Sequence, residues 1–321
     1  MTHHNITSEF SGQRLDKFLV TQFPDYSRSQ IQKMIKSGQV SVNNKEPTVH
    51  QFLKINDTIS IEPTQDAVPT TASTPLPAPL PVGALSRQQP PAPEIIADTP
   101  NYLIINKPAG LIIHEAPGVN EPTLVDWLLE KYPELKKIGE DPSRPAIVHR
   151  LDKEVSGLMV VPKTQAMFDH LKSQFKTRQI KKEYMALVYG KPNKLEDEIN
   201  FNIDRSVTAK RMAAIPTKEA RGRKAITKFE VLETFINYTL LKIIPETGRT
   251  HQIRVHLNAY GLPVVGDRIY KPKKLKKLLP IDRLFLHATS LGFFDLENER
   301  QEFESLLPTE LENILKQLKR G

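Results

Sequence analysis

The sequence predicts an α+β protein. Strand-like and helix-like stretches are mixed along most of the chain with no regular βαβ rhythm, which argues against a doubly wound parallel sheet. Residues 225–232 and 238–245 read as a strand pair, and a proline-rich stretch sets a small leading part apart from the rest. At 321 residues the chain is long for one average domain and fits two.

Residues 1–62 are the first expected domain, a small α/β unit. In GQRLDKFLVTQF, Leu15, Phe18 and Leu19 recur at helical spacing. A second helix follows in PDYSRSQIQKMIKSG, with Ser27 and Gln30 in a capping-box pattern and Gly38 as the residue that stops it. Ile31, Met34 and Ile35 share one face of it, and Arg28, Ser29, Gln32, Lys33 and Lys36 occupy the other. That basic face is either an ordinary solvated side or a binding surface. Val40 and Val42 alternate as a short strand, Asn43-Asn44 supplies a turn, and residues 58–61 alternate again.

Residues 63–93 carry nine prolines, one acidic and one basic residue. Alternating Pro75, Pro77, Pro79 and Pro81 favour extended polyproline II with no packed core, so this stretch is expected to be a semi-stiff linker. A docking motif for a proline-binding partner is the alternative.

Residues 94–321 are the second expected domain. A strand over 102–106 runs into the rigid turn Lys107-Pro108-Ala109-Gly110. A short helix over 122–132 carries Leu124, Leu128 and Leu129. A strand-like AIVHRLD precedes the apolar SGLMVV, and a helix over 164–176 spaces Met167, Leu171 and Phe175 four apart. Tyr184 to Tyr189 reads as a strand. Thr250 is placed to cap a helix running to Tyr260, with Gly261 ending it.

Composition narrows the function. Lys plus Arg is 45 against 37 Asp plus Glu, a net charge of +8, which favours a polyanionic partner. Cysteine is absent, so disulfides, thiolate nucleophiles and Cys-ligated zinc are excluded. No signal peptide and no apolar run of membrane-spanning length is read, so the expectation is a soluble, cytoplasmic protein without membrane contact.

Two polar clusters stand out. His149-Arg150-Leu151-Asp152 lies between apolar stretches. A carboxylate there needs a partner, and it is either a structural ion pair, a turn cap or a catalytic group. Ser156 and His149 lack the elbow motif of a serine hydrolase, and a glycosidase's second carboxylate is not evident. The second cluster is ETGRTHQIRVHL. Arg254, flanked by Ile253 and Val255, is either a surface cation or the partner of a buried carboxylate, for which Asp152 is the candidate. His251 and His256 are five apart, which suits no zinc pair, so no metal is expected. Six basic residues between Arg268 and Lys277 form either a solvated loop or a nucleic-acid contact.

Taken in order, NKPAGL, HRLDKEVSGL, KKEYMALVYG, GRTHQIRVHL and VVGDRIY resemble the RluA-type pseudouridine synthase family across most of residues 94–290. Residues 12–62, with RLDKFL, SRSQIQKMIKSGQVSVNN and INDTISI, resemble the small RNA-binding domain named after ribosomal protein S-four. The resemblance implies a mixed, mainly antiparallel catalytic core, and isomerisation of uridines in RNA without a cofactor. Large-subunit ribosomal RNA is the implied substrate, with transfer RNA, or a non-catalytic RNA-binding or ribosome-assembly role, as alternatives. It implies that Asp152 is the catalytic aspartate, Arg254 its charge partner and Tyr184 the ring that packs on the target base and can assist deprotonation at C5. Arg150 would fill the space left by a flipped nucleotide, and His149, Arg28, Lys33 and Lys36 would contact RNA. Leu158 and NKPAGL would shape the pocket. Whether the aspartate attacks the ribose or deprotonates it stays open. Val155 and Lys271 depart from the family's usual Thr and Gly, and neither replaces a reacting group. A monomer is the default expectation.

Overall fold

Period-2 patterns and two well-capped helices account for most of the architecture in the computed structural model. It describes residues 2–7, 10–23, 31, 34–35, 37–48, 51–61, 90–114, 121–207, 209, 211–271 and 279–319. These fall into two compact units, one built from residues up to 61 and one from residues 90 onward. The expected linker over 63–93 therefore lies mostly outside the described residues. Among the described residues no helix is long and apolar enough to cross a membrane.

The first unit is a three-stranded antiparallel sheet with one described helix, α1 (Leu15–Gln22). Its strands β1 (Thr2–Asn5), β2 (Val40–Val42) and β3 (Thr58–Ile61) lie in the order β1-β3-β2. Leu15, Phe18 and Leu19 of α1 pack with Ile31, Ile35, Val40, Val42, Ile59 and Ile61 in one core. Burying each such aliphatic side chain contributes about 1.5–3 kcal/mol. Asn43 and Asn44 both take positive φ, 52° and 60°, the signature of a type I′ hairpin turn. The Asn43 side chain fixes this turn by donating to Asp57 at 2.8 Å and accepting from the Thr58 N–H at 2.9 Å. Ile31, Met34 and Ile35 are helical and face this core, as the spacing predicts. Arg28, Lys33 and Lys36 lie outside the described residues.

The second unit is built on a nine-stranded sheet. Its strands are β4 (Glu94–Asp98), β5 (Tyr102–Lys107), β6 (Ser156–Pro162), β7 (Lys181–Tyr189), β8 (Glu196–Asn200), β11 (Ile226–Thr234), β12 (Tyr238–Pro245), β13 (Leu286–Phe294) and β14 (Arg300–Glu304). Their order is β4-β5-β6-β13-β7-β12-β11-β8, with β14 paired to β13. A separate hairpin joins β9 (Asn202–Arg205) to β10 (Met212–Ile215). Every pairing in the large sheet is antiparallel except β6 with β13, so the sheet is mixed and mainly antiparallel. At the parallel junction Gly157 pairs with Ala288 and takes φ +121°. A Cβ there would stand 2.3 Å from the Ala288 carbonyl oxygen, so only glycine fits.

All seven residues of β6 are buried, which explains the continuous apolar run. Met159 and Val161 join Leu103 and Ile105 in the core on one face. Leu158 and Val160 join Ile104 on the other, against Met167 and Leu171 of α3 (Gln165–Thr177). Thr164 caps α3 by accepting from the Met167 N–H at 3.2 Å. Helix α2 (Leu124–Lys131) opens with a capping box between Thr123 and Asp126. Two further helices, α4 (Gln252–Tyr260) and α5 (Thr309–Gln317), complete the unit.

Three expectations are corrected. AIVHRLD is not a strand. Residues 145–155 are irregular, with Ala146 at φ +56° and its N–H given to the Ile138 carbonyl, so the backbone never aligns with a neighbouring strand. Thr250 does not cap α4. His251 precedes the helix in left-handed geometry with no side-chain cap, and Gln252 ties the helix start down instead. Its Oε1 accepts from Thr247 Oγ1 at 2.6 Å and the Arg249 N–H at 3.0 Å, while its Nε2 donates to the Ile226 carbonyl at 2.9 Å. Leu158 packs against α3 and is not among the cavity-lining residues described below.

Candidate active site

Asp152 ends the HRLD stretch just before β6. Its backbone is braced from both directions: the Asp152 carbonyl accepts from the Val155 N–H at 3.1 Å, and the Lys153 carbonyl accepts from the Gly110 N–H at 2.8 Å. The same Lys153 carbonyl accepts from Lys107 Nζ at 3.2 Å. Lys107 is fully buried and also donates to the carbonyls of Pro108 and Leu111 at 2.8 and 3.0 Å. Three carbonyl acceptors match the three donors of an ammonium. Burial, with Arg283 nearby, still pulls Lys107 down to about 7. The NKPAG turn is thus stapled to the segment that carries Asp152.

Arg254 lies on the first turn of α4, buried, and its guanidinium is divided between two carboxylates. Nε and Nη2 form a two-pronged pair with Asp267 at 2.7 and 2.9 Å, and Nη1 reaches Asp152 Oδ2 at 3.2 Å. The side chains of Arg254 and Asp267 are 5% and 0% exposed, against 18% for Asp152. Asp267 also accepts the N–H groups of Ile269 and Tyr270. Burial opposes charge on Asp267, but the Arg254 bonds and these N–H groups outweigh it and hold its carboxyl below the usual range. Burial likewise opposes charge on Arg254, and the two aspartates raise it further above its ordinary value. The guanidinium sits 5.3 Å from the Tyr270 ring. Tyr270 OH in turn meets His251 Nδ1 at 3.0 Å.

Tyr184 projects from β7 beside this pair. Burial first, and the Asp152 charge second, push its phenol upward, so it stays protonated. His149 Nε2 accepts the Val160 N–H at 3.1 Å, and its ring stacks on Phe175 at 4.9 Å. Burial drops His149 to about 3, which leaves it neutral. Expected as an RNA contact, its ring nitrogen is engaged by the protein's own backbone.

Asp152, Tyr184, Arg254, His149 and Arg150 all line one cavity of about 530 Å³, the size of a small-molecule site. Arg150 is exposed at this cavity. Arg144, Lys176, Arg178, Lys182 and Arg249 add positive charge to its walls, and the other carboxylate there is Glu246. The NKPAG residues line a different cavity, of about 480 Å³, together with Glu154, Ser156 and Arg283. Among the described residues no group of three His, Asp or Glu side chains could hold a metal ion.

The sequence reading missed Asp267 as the main partner of Arg254, although it singled out GDRIY. The signal was present: an aspartate just after a turn, with Gly266 at φ +77° and apolar Val264 and Val265 before it.

The site is thus a basic cavity of small-molecule size with a charge-paired carboxylate in its lining, which fits an anionic substrate. Comparison with known proteins shows the class of enzyme. Residues 101–259 match the family described as RNA pseudouridylate synthase, and residues 13–59 match the S4 domain. An uncharacterized RNA pseudouridine synthase of Chloroflexus aurantiacus is 37% identical over 96% of this chain and 90% of its own length. Ribosomal large subunit pseudouridine synthase D of Zymomonas mobilis is 33% identical over 98% of this chain and 96% of its own. The solved structure of human RNA pseudouridylate synthase domain-containing protein 4 aligns with a TM-score of 0.56 and 26% identity, covering 69% of this chain and 91% of that one. The chain belongs to the RluA-type RNA pseudouridine synthase family, and it is an RNA pseudouridine synthase.

Proposed function

We propose that this enzyme isomerises uridines of large-subunit ribosomal RNA, with Asp152 as the group that starts the reaction. The observation that carries the chemistry is the meeting of Asp152, Arg254 and Tyr184 in one cavity, with Arg254 Nη1 3.2 Å from Asp152 Oδ2. The substrate class is supported by the head's match to an RNA-binding domain and by relatives from Zymomonas mobilis and Yersinia pestis that are named for the ribosomal large subunit.

In the reaction the bond between uracil N1 and ribose C1′ breaks, the base turns within the cavity, and C5 bonds to C1′. The proton on C5 is lost, and N1 ends up carrying one. Asp152, paired with Arg254, either attacks C1′ or removes a ribose proton; both routes begin from its side-chain oxygens. Tyr184, kept protonated by burial in the free enzyme, packs against the base. A paired uridine must leave its stack to reach Asp152, at a cost of a few kcal/mol. Arg150, exposed at the cavity, fills the vacated place. Arg28, Lys33 and Lys36 of the head hold the RNA outside the catalytic unit.

The test is a pseudouridine map of ribosomal and transfer RNA from cells with and without the gene. Signal lost at defined large-subunit uridines, and restored by wild type but not by Asp152→Asn, is the expected result. Restoration by Asp152→Asn would refute the role of Asp152. Loss confined to transfer RNA would refute the substrate.

A further inference from the structure

Among the described residues, Lys182 is a half-buried cation of the cavity wall with no carboxylate in ion-pair reach. Lys182 lies on β7, two residues before Tyr184 and on the same face of the strand. It lines the cavity that Asp152 lines. Its ammonium stands 5.8 Å from the centre of the Phe175 ring, and no carboxylate pairs with it among the described residues. Phe175 is itself backed by the His149 ring, whose Nε2 is fixed by the Val160 N–H. The Phe175 ring thus meets both a neutral imidazole and a cation. A ring face attracts a cation but does not neutralise it.

The surroundings deepen the imbalance. Lys176 and Arg178, from the end of α3 and the residue after it, and Arg150 share this cavity. Burial has drawn Lys182 down to about 8, the expected result of a desolvated ammonium without a counter-ion. Lys181, the preceding residue, does have a carboxylate, Glu183, at 3.5 Å. The less exposed lysine of the two is the one left without a carboxylate among the described residues.

We propose that Lys182 is a phosphate post: it binds one backbone phosphate of the RNA, adjacent to the nucleotide that enters the Asp152 cavity. A phosphodiester is the anion this enzyme's substrate supplies, and it needs no proton from the lysine. Tyr184, two residues along the strand, then meets the base while Lys182 meets the backbone, so one strand reads two parts of one nucleotide. This goes beyond the function proposed above, because it concerns how the strand is held and not which uridine or which carboxylate reacts.

The experiment is a cycle between protein and RNA. Hairpins of large-subunit ribosomal RNA that the full-length enzyme binds are synthesised with one phosphate at a time replaced by an uncharged methylphosphonate. Their affinities are measured for wild type, Lys182→Met and Lys182→Arg. With intact RNA, Lys182→Met should bind about tenfold or more weakly, as for loss of a charge-assisted bond. Lys182→Arg should recover part of that. One methylphosphonate, next to the target nucleotide, should weaken wild type equally and leave Lys182→Met unchanged. The salt dependence of Lys182→Met should be shallower by about 0.7 in log–log slope. Losses that multiply at every position would overturn the proposal, as would unchanged binding by Lys182→Met. The methylphosphonate series on wild type alone also refutes it if no single position near the target matters, whatever the variants do. The readout is binding, so tight coupling without turnover would refute the Asp152 chemistry and leave the post standing.

Discussion

Replacing Asp267 by Asn is the sharpest probe of the buried charge group. The substitution preserves size but removes one negative charge from a side chain that is 0% exposed and that takes two of the three hydrogen bonds made by Arg254. One end of the new amide still accepts, but its NH₂ end faces a guanidinium N–H, donor against donor. Breaking a buried pair by removing one partner costs about 3–5 kcal/mol. For a unit of this size each kcal/mol lowers the melting temperature by about 2–4 °C, so a fall of about 6–20 °C is expected. The effect on turnover follows from geometry. Arg254 is left with Asp152 as its one full carboxylate partner, and the guanidinium rotates toward it. A displacement of about 1 Å at a reacting group costs on the order of 100-fold in rate. Thermal unfolding and single-turnover pseudouridine formation on one RNA hairpin measure both. A melting shift below about 2 °C together with wild-type turnover would refute the reasoning, because Asp267 would then neither hold Arg254 nor set its direction.

Two further outcomes follow from the fold. Gly157→Ala should cost about 2–6 kcal/mol, since it forces φ +121° on a residue with a Cβ and drives that atom to 2.3 Å from the Ala288 oxygen. Gly248→Ala, with nothing within 4 Å of its added carbon, should change stability by less than about 0.5 kcal/mol; equal losses in urea unfolding would sink the steric account. Stability should also fall on mild acidification. Burial lowers His149 from 6.5 to about 3 and His287 from 6.5 to about 4, so between those values the unfolded chain binds protons that the native state refuses. Stability is therefore full above pH 6.5 and declines by about 1.4 kcal/mol per pH unit per histidine as pH drops toward 4. Urea midpoints that stay flat across that window would contradict it, and His287→Gln should flatten the slope by one histidine's share.

Much of the core was legible because periodicity and caps agree. Helix α3 was marked by Thr164 and by Met167 and Leu171, and the β11–β12 pair by alternation. Strand β4 escaped notice because EIIAD is charged at both ends and alternates exposed and half-buried residues at an edge. AIVHRLD misled because its apolar residues look strand-like, while its backbone bonds are made to a turn and a helix-flanking loop. In the candidate site, Asp152, Tyr184 and Arg254 were each found from local context and family motif. The division of Arg254 between two carboxylates was not legible. It depends on the chain folding back after α4 so that residues thirteen apart meet, and spacing alone cannot distinguish a turn aspartate that faces water from one that faces an arginine. Lys107 and Lys182 were hidden for a related reason: a lysine in sequence reads as surface, and only packing reveals that Lys107 is buried and Lys182 half-buried.

The shared guanidinium also has an electrostatic consequence. Two carboxylates around one arginine leave the Asp152–Arg254–Asp267 group with a formal charge of −1, while lysines and arginines dominate the rest of the cavity lining. A strand of RNA meeting this surface is sorted by its own chemistry. Its phosphates are attracted to those lysines and arginines and repelled from Asp152, and its uncharged bases carry no such penalty. The cavity therefore acts as a polarity filter that admits the heterocycle and leaves the backbone outside, before any residue recognises uracil.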